Sequence, residues 1–240
     1  MPALAVFGPP ELWPNEDLVA FTDQFDAPLV EAAYRSGVFP MPLRRAFFGR
    51  RMAWWSPLDR GLIEPADFRA SRSLAQSAKR YRVTVNQAFD RVVAACADPG
   101  RPGGWIDADV QAVYGQLHRA GLAVSVEVWD RADQLVGGLY GVSLGGLFAG
   151  ESMFHRPSGR DASKVALWRL VADWLTPTPG GGARLVDVQW ATPHLVSLGA
   201  KSVPRLEYLE RLSIVLDQPR PSWPGGTIAN DMVSESSSSI

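Results

Sequence analysis

Three apolar, strand-like runs follow one another closely: AVSVEVWD (residues 123–130), QLVGGLYGVSLGG (134–146) and LFAGESMF (147–154). Turn residues separate them, which predicts an antiparallel meander. The last run carries a lone acid, Glu151, between Gly150 and Ser152. An ionised carboxylate buried without a partner is very costly. Glu151 must either be paired inside the protein or receive a cation from outside.

The remaining pattern surrounds that meander. DASKVALWRLVADWL (161–175) reads as a helix capped by Asp161, RLVDVQWA (184–191) as a strand and TPHLVSLGA (192–200) as a short helix stopped by Gly199. VPRLEYLERLSIVL (203–216) closes the fold as a last strand. Upstream, PLVEAAYRSGVF (28–39) has helical spacing with Gly37 as its stop, and SRSLAQSAKR (71–80) is helical with Ser71 as N-cap. YRVTVN (81–86) alternates like a strand, and residues 86–97 and 108–121 have helical spacing. The reading is an α+β chain: a small N-terminal α/β domain over 1–62, a larger domain over 63–216 and a disordered tail over 217–240. The larger domain's order fits a GNAT-like, N-acyltransferase-type fold, a mainly antiparallel mixed sheet flanked by helices. A fold alone does not give a function.

Composition narrows the possibilities. No apolar run approaches the roughly 20 residues that cross a bilayer. The N-terminus carries no early Lys or Arg and is broken by prolines, so it does not read as a signal peptide. Cys96 is the only cysteine, which excludes an intrachain disulfide and a cysteine-rich zinc site. A reducing, cytoplasmic setting is the expectation. His118, His155 and His194 lack metal-ligand spacing, so no metal is expected. Neither a P-loop nor a dinucleotide-binding glycine motif occurs. The net charge is -1, yet residues 44–82 hold ten Lys/Arg against three Asp/Glu. Such a local excess can hold a polyanion by releasing its counterions; the alternative is a solvated face.

A second carboxylate site lies in RLVDVQW, where Asp187 and Gln189 are two apart. Residues i and i+2 of a strand share a face, so both side chains can converge on one pocket, with Val186, Val188 and Trp190 turned to the core; the alternative is that Asp187 and Gln189 pair with arginines.

AAYRSGVFP, WWSP followed by Arg60, SRSL, GWI, SVEVW, LVGGLYGV, GESMF, DASKVAL, LVDVQ and HLVSLGA fall in order along residues 30–210. In these motifs the chain resembles the leucyl/phenylalanyl-tRNA–protein transferases. The resemblance implies transfer of Leu or Phe from its tRNA to the α-amino group of proteins beginning with Arg or Lys, in the N-end rule route, by a cytoplasmic monomer without a cofactor. It implies Asp187, Gln189 and Glu151 as catalytic residues, Glu151 receiving a cation of the acceptor. Leu139, Phe148, Met153, Leu167 and Trp174 match the donor side-chain pocket. Trp105 matches a residue that stacks on the terminal adenosine. The second stacking tryptophan is Met41 here, with Trp54 and Trp55 as nearby substitutes. AFTDQFDAP replaces the family's N-terminal Gly-Gly turn, and Thr192 stands where an Asn is frequent. The basic segment gains a partner in the tRNA phosphates, through Arg44, Arg45, Arg50, Arg51, Arg60, Arg72, Lys79 and Arg80. A small-molecule N-acetyltransferase is the rival enzyme reading, weakened by the absence of a Q/R-x-x-G-x-G/A turn for coenzyme A. A non-catalytic RNA-binding module is the other alternative.

Overall fold

The computed structural model describes residues 7–44, 50–100, 104–176 and 182–223. Its strands are β1 (Leu18–Thr22), β2 (Phe39–Arg44), β3 (Arg50–Trp55), β4 (Asp59–Ile63), β5 (Arg82–Val85), β6 (Ala123–Trp129), β7 (Leu135–Leu144), β8 (Leu147–His155), β9 (Leu185–Gln189) and β10 (Lys201–Pro204). Its helices are α1 (Ala27–Arg35), α2 (Arg72–Ala78), α3 (Phe89–Cys96), α4 (Ala108–Arg119), α5 (Ala162–Leu170), α6 (Pro193–Ser197) and α7 (Arg205–Leu216). The tail beyond residue 223 lies outside the described residues.

Two sheets form. β1, β3 and β2 make a small antiparallel one; the other has the order β10-β4-β9-β8-β7-β6-β5. β5, β6, β7 and β8 pair antiparallel one with the next, and β7 with β8 contains the expected hairpin. β8 and β9 alone are parallel in the large sheet, joined through α5. β4 pairs with β9 and β10, so the large sheet begins within the segment assigned above to the N-terminal domain.

Local chemistry sets the helix ends. Asp26 Oδ1 accepts from the Leu29 N–H and starts α1, and Ser71 Oγ accepts from the Leu74 N–H and starts α2. α1 turns Val30, Ala33 and Tyr34 inward, and Gly37 ends it at φ +82°. A Cβ at Gly37 would lie 2.3 Å from Leu209. Two sequence expectations change here. Asp161 stands at the N-cap of α5, as expected, but makes no side-chain capping bond: it sits at φ +63°, and its carboxylate instead takes Ser77 Oγ and Lys164 Nζ. Residues 205–216 form a helix, because Tyr208, Leu212 and Val215 recur on one buried face; only the four residues before them are a strand.

The core lies on both faces of the large sheet. Phe7, Val30 and Trp54 share one cluster with Val92, Tyr114 and Tyr140, so the small sheet is packed into the common core. Leu74, Val126, Leu139, Phe148, Val165 and Leu167 form the second cluster. Leu139 and its neighbour Tyr140 fall in different clusters, as strand alternation requires.

Candidate active site

The site opens where β8 and β9 part. Their pairing covers Leu147↔Leu185, Phe148↔Val186 and Ala149↔Asp187, and then stops while β8 runs on beside β7. Both strands are irregular beyond that point. On β8, Tyr140 faces Ser152 and Gly141 faces Gly150, so Glu151 is the extra residue of a bulge. On β9, Gly61 faces Gln189 and Leu62 faces Asp187, so Val188 is extra. Bulges re-aim side chains. Gln189 also takes φ +58°, the left-handed region that a non-glycine residue rarely occupies.

A cavity of about 170 Å³ fills the opening. Leu139, Phe148, Met153, Leu167, Val186, Val188 and Leu195 supply its apolar walls, and Glu151 and Gln189 line it as well. An apolar cavity of about 150 Å³ is enough to take a benzene-sized group. Four of the five pocket residues expected from sequence are therefore brought together. Trp174 is not among the lining residues; it lies in the π-helical turn Val171–Leu175, with its ring 6.3 Å from that of Trp223. Val186 belongs to the second core cluster and Val188 packs against it, as expected, and both also line the cavity.

Glu151 is held by two phenols. Tyr34 Oη donates to Oε1 at 2.5 Å, Tyr114 Oη donates to Oε2 at 2.7 Å, and the two phenol oxygens are 2.6 Å apart. Burial pushes the Glu151 carboxyl up to about 7; the charge of Asp187 adds to this, while the two phenols and Arg60 pull it back. Tyr34 and Tyr114 are themselves raised well above the usual phenol range, first by burial and then by the Glu151 charge.

Asp187 does not line the cavity; of the two readings the sequence left open, the arginine partner is the one found. It is fully buried behind Gln189. Oδ1 accepts from Arg60 Nε at 2.8 Å and from the Gln189 N–H at 2.9 Å. Oδ2 accepts from an Arg60 terminal nitrogen at 2.5 Å and from Tyr208 Oη at 3.0 Å. These four donors fill the four lone-pair sites of a carboxylate. Gln189 is 9% exposed, and its Nε2 has no hydrogen-bond partner among the described residues. Asp187 thus fixes the backbone of Gln189, and Gln189 lines the cavity.

Arg60 is corrected outright. Its side chain has no exposed surface, so it cannot meet a phosphate. It pairs with Asp187, donates to the Gly37 carbonyl at 3.1 Å and stacks between Phe39 and Tyr208. Burial alone would lower its pKa, but Asp187 beside it raises it overall.

A sequence model described as "Leucyl/phenylalanyl-tRNA protein transferase" matches residues 62–213. A leucyl/phenylalanyl-tRNA–protein transferase of Anaeromyxobacter dehalogenans (strain 2CP-C) is 44% identical over 232 residues, 93% of this chain and 94% of its own length. One from Maricaulis maris (strain MCS10) is 49% identical over 187 residues, 76% of this chain and 82% of its own.

The chain belongs to the leucyl/phenylalanyl-tRNA–protein transferase family.

Among solved structures, a GCN5-related N-acetyltransferase from Kribbella flavida matches with a TM-score of 0.35 and 13% identity, covering 74% of this chain and 60% of that one. As a member of the transferase family, the chain is an aminoacyltransferase.

In this family member the expected stacking residues divide. Trp54 has no exposed surface; its Nε1 donates to Thr22 Oγ1 at 2.8 Å and its ring packs on Phe7, so it cannot stack on a base. Trp55 is partly exposed, donates to the Met41 carbonyl and meets Trp190 edge-on. Trp105 is partly buried just before α4. Of the basic residues, Arg51, Arg72, Lys79 and Arg80 are exposed, and Arg51 leans on Asp23 at 3.4 Å. The backbones of Arg44 and Arg50 face each other across β2 and β3, and Arg45 lies outside the described residues. Sequence reasoning missed Tyr34, Tyr114 and Tyr208. Each sits on the buried face of a helix, and a buried Tyr hydroxyl usually has a partner. Helical spacing that turns a tyrosine inward was the signal that could have found them.

Proposed function

We propose that this chain transfers Leu or Phe from aminoacyl-tRNA to the α-amino group of proteins beginning with Arg or Lys, marking them for N-end rule degradation in the cytoplasm. The cavity between the parted strands carries the reading: apolar walls together with a carboxylate and an amide nitrogen that has no partner among the described residues. The donor side chain enters the apolar end. Met153 adds a flexible wall that suits both Leu and Phe. Trp105 stacks on the terminal adenosine, a contact worth about 1–3 kcal/mol. The exposed basic residues 51, 72, 79 and 80 hold phosphates without reading sequence.

The chemistry asks for positioning more than for activation. An aminoacyl ester is already reactive, and an α-amino group titrates near 7.7–8.0. Held in near-attack geometry, the two react without ATP. Gln189 serves on both sides of the step. Its carbonyl orients the amine, and its Nε2 offers a donor to the developing oxyanion. Asp187, saturated by its four donors, holds Gln189 in place and does not itself take a proton.

The test is incubation with labelled Leu-tRNA and a peptide beginning with Arg. Label should enter the peptide, and should not enter the same peptide with an acetylated N-terminus. Heat from acetyl-CoA titration without leucyl transfer would favour a small-molecule acetyltransferase. Tight tRNA binding without transfer would favour an RNA-binding module.

A further inference from the structure

Two phenols and one carboxyl close a ring of three short oxygen–oxygen contacts, at 2.5, 2.7 and 2.6 Å. Contacts of that length each call for a hydrogen between the oxygens. The two phenols bring one proton apiece. Ionised Glu151 brings none, so one of the three contacts stays without a proton. Protonated Glu151 supplies the third: its hydroxyl donates to Tyr34, Tyr34 donates to Tyr114, and Tyr114 donates to the other carboxyl oxygen. The ring is complete only when Glu151 has gained a proton.

We propose that Glu151, backed by Tyr34 and Tyr114, is the proton acceptor for the attacking amine; the step rests on the aminoacyl-transfer reading above. The amine nitrogen bonds to the ester carbonyl carbon, and the bond from that carbon to the ribose oxygen breaks. The proton leaving nitrogen passes to Glu151 and is returned to the departing ribose oxygen, so the enzyme ends the turnover unchanged. Glu151 lines the cavity, whereas Tyr34 and Tyr114 are 1% and 0% exposed. Substrate therefore touches the carboxyl, and the phenols are positioning residues.

The surroundings agree. Tyr34 on α1, Tyr114 on α4, Asp187 on β9 and Arg60 on β4 are the titratable groups that bear on Glu151. Together with burial they leave it titrating near 7, where a general base works best. Both phenols hold their protons more firmly than usual, and the nearby Tyr140 adds to that. They therefore donate throughout the neutral range.

The experiment measures kcat and KM for leucyl transfer to an Arg-peptide between about pH 5.5 and 9. The wild type is compared with Glu151→Gln, Tyr34→Phe, Tyr114→Phe and the double Phe variant. In the wild type, kcat/KM should fall with a two-proton dependence on the acid side, one proton for the peptide amine and one for Glu151. Glu151→Gln should leave a one-proton dependence and lower kcat by about 10²–10⁴-fold, with KM for Leu-tRNA unchanged. Each Phe variant keeps the ring packing and should lower kcat, and the double variant should be no worse than the worse single by more than about threefold, because groups that act as one unit are non-additive. A two-proton limb that survives in Glu151→Gln overturns the proposal. So do Phe losses that multiply, or losses confined to the peptide's KM, which would make Glu151 an anchor for the acceptor's cation. Absence of transfer by the wild type overturns the functional reading itself; transfer with a surviving limb overturns the ring alone.

Discussion

Asp187 shows how much a single residue's role depends on what already touches it. Spacing with Gln189 places both side chains in the pocket, and a left-handed Gln189 behind a one-residue bulge separates them. Bulges of this kind leave no mark on hydrophobic alternation, so neither was legible. Arg60 reads as a phosphate ligand because its charge sits among other basic residues; its partner is 127 positions away and invisible to local spacing. Replacing Arg60 by Met leaves a buried carboxylate unpaired, which should cost about 3–5 kcal/mol of stability in denaturant melts. Replacing both Arg60 and Asp187 by apolar residues should recover much of that stability but not the activity. Glu151 makes a second prediction. Its carboxyl releases a proton near 4.5 in the unfolded chain and near 7 in the folded one. Between those values the folded state binds more protons, so this group's stabilising contribution is full below pH 4.5 and is lost as pH rises through 7. Glu151→Gln stays neutral throughout. The difference in melting temperature, variant minus wild type, should therefore grow as pH rises across that window.

At the scale of elements, the meander over β6, β7 and β8 and the helices α1 to α5 were legible because their hydrophobic periods are unambiguous. The parallel pairing of β8 with β9 is the feature that makes a site, since it ends early and lets the strands diverge. Glycine packing guards that geometry. A Cβ at Gly61 would lie 2.6 Å from the Ala191 nitrogen and 2.7 Å from the Trp190 carbonyl carbon, where β4 pairs with the end of β9. At Gly141 it would lie 2.3 Å from the Ala149 carbonyl oxygen. Backbone cannot give way as a side-chain tip does. Gly61→Ala should cost about 1–3 kcal/mol in thermal unfolding and lower transfer more than stability, because it displaces the strand end that carries Gln189. A Gly61→Ala protein with unchanged kcat would show that the β9 terminus does not set the site. The last helix, α7, was not legible because its first residues continue a real strand, β10.

Across the whole molecule, the proposed function divides between exposed basic residues and the cavity between β8 and β9. The exposed residues Arg72, Lys79 and Arg80 surround α2. Replacing each of the three by Gln should raise KM for Leu-tRNA and reduce the dependence of log K on log salt by about 1 for every phosphate no longer held, with kcat unchanged. Equal salt slopes in wild type and variants would move the tRNA elsewhere. The proposed transfer requires that the cavity receive the donor's side chain and bring its carbonyl to Gln189. A crystal structure with a non-hydrolysable amide of leucine on the 3′ position of adenosine would show whether it does. The leucyl side chain should lie among Leu139, Phe148, Met153 and Leu167, with its carbonyl within hydrogen-bond reach of the Gln189 amide. An analogue bound elsewhere, with that cavity empty, would refute the assignment.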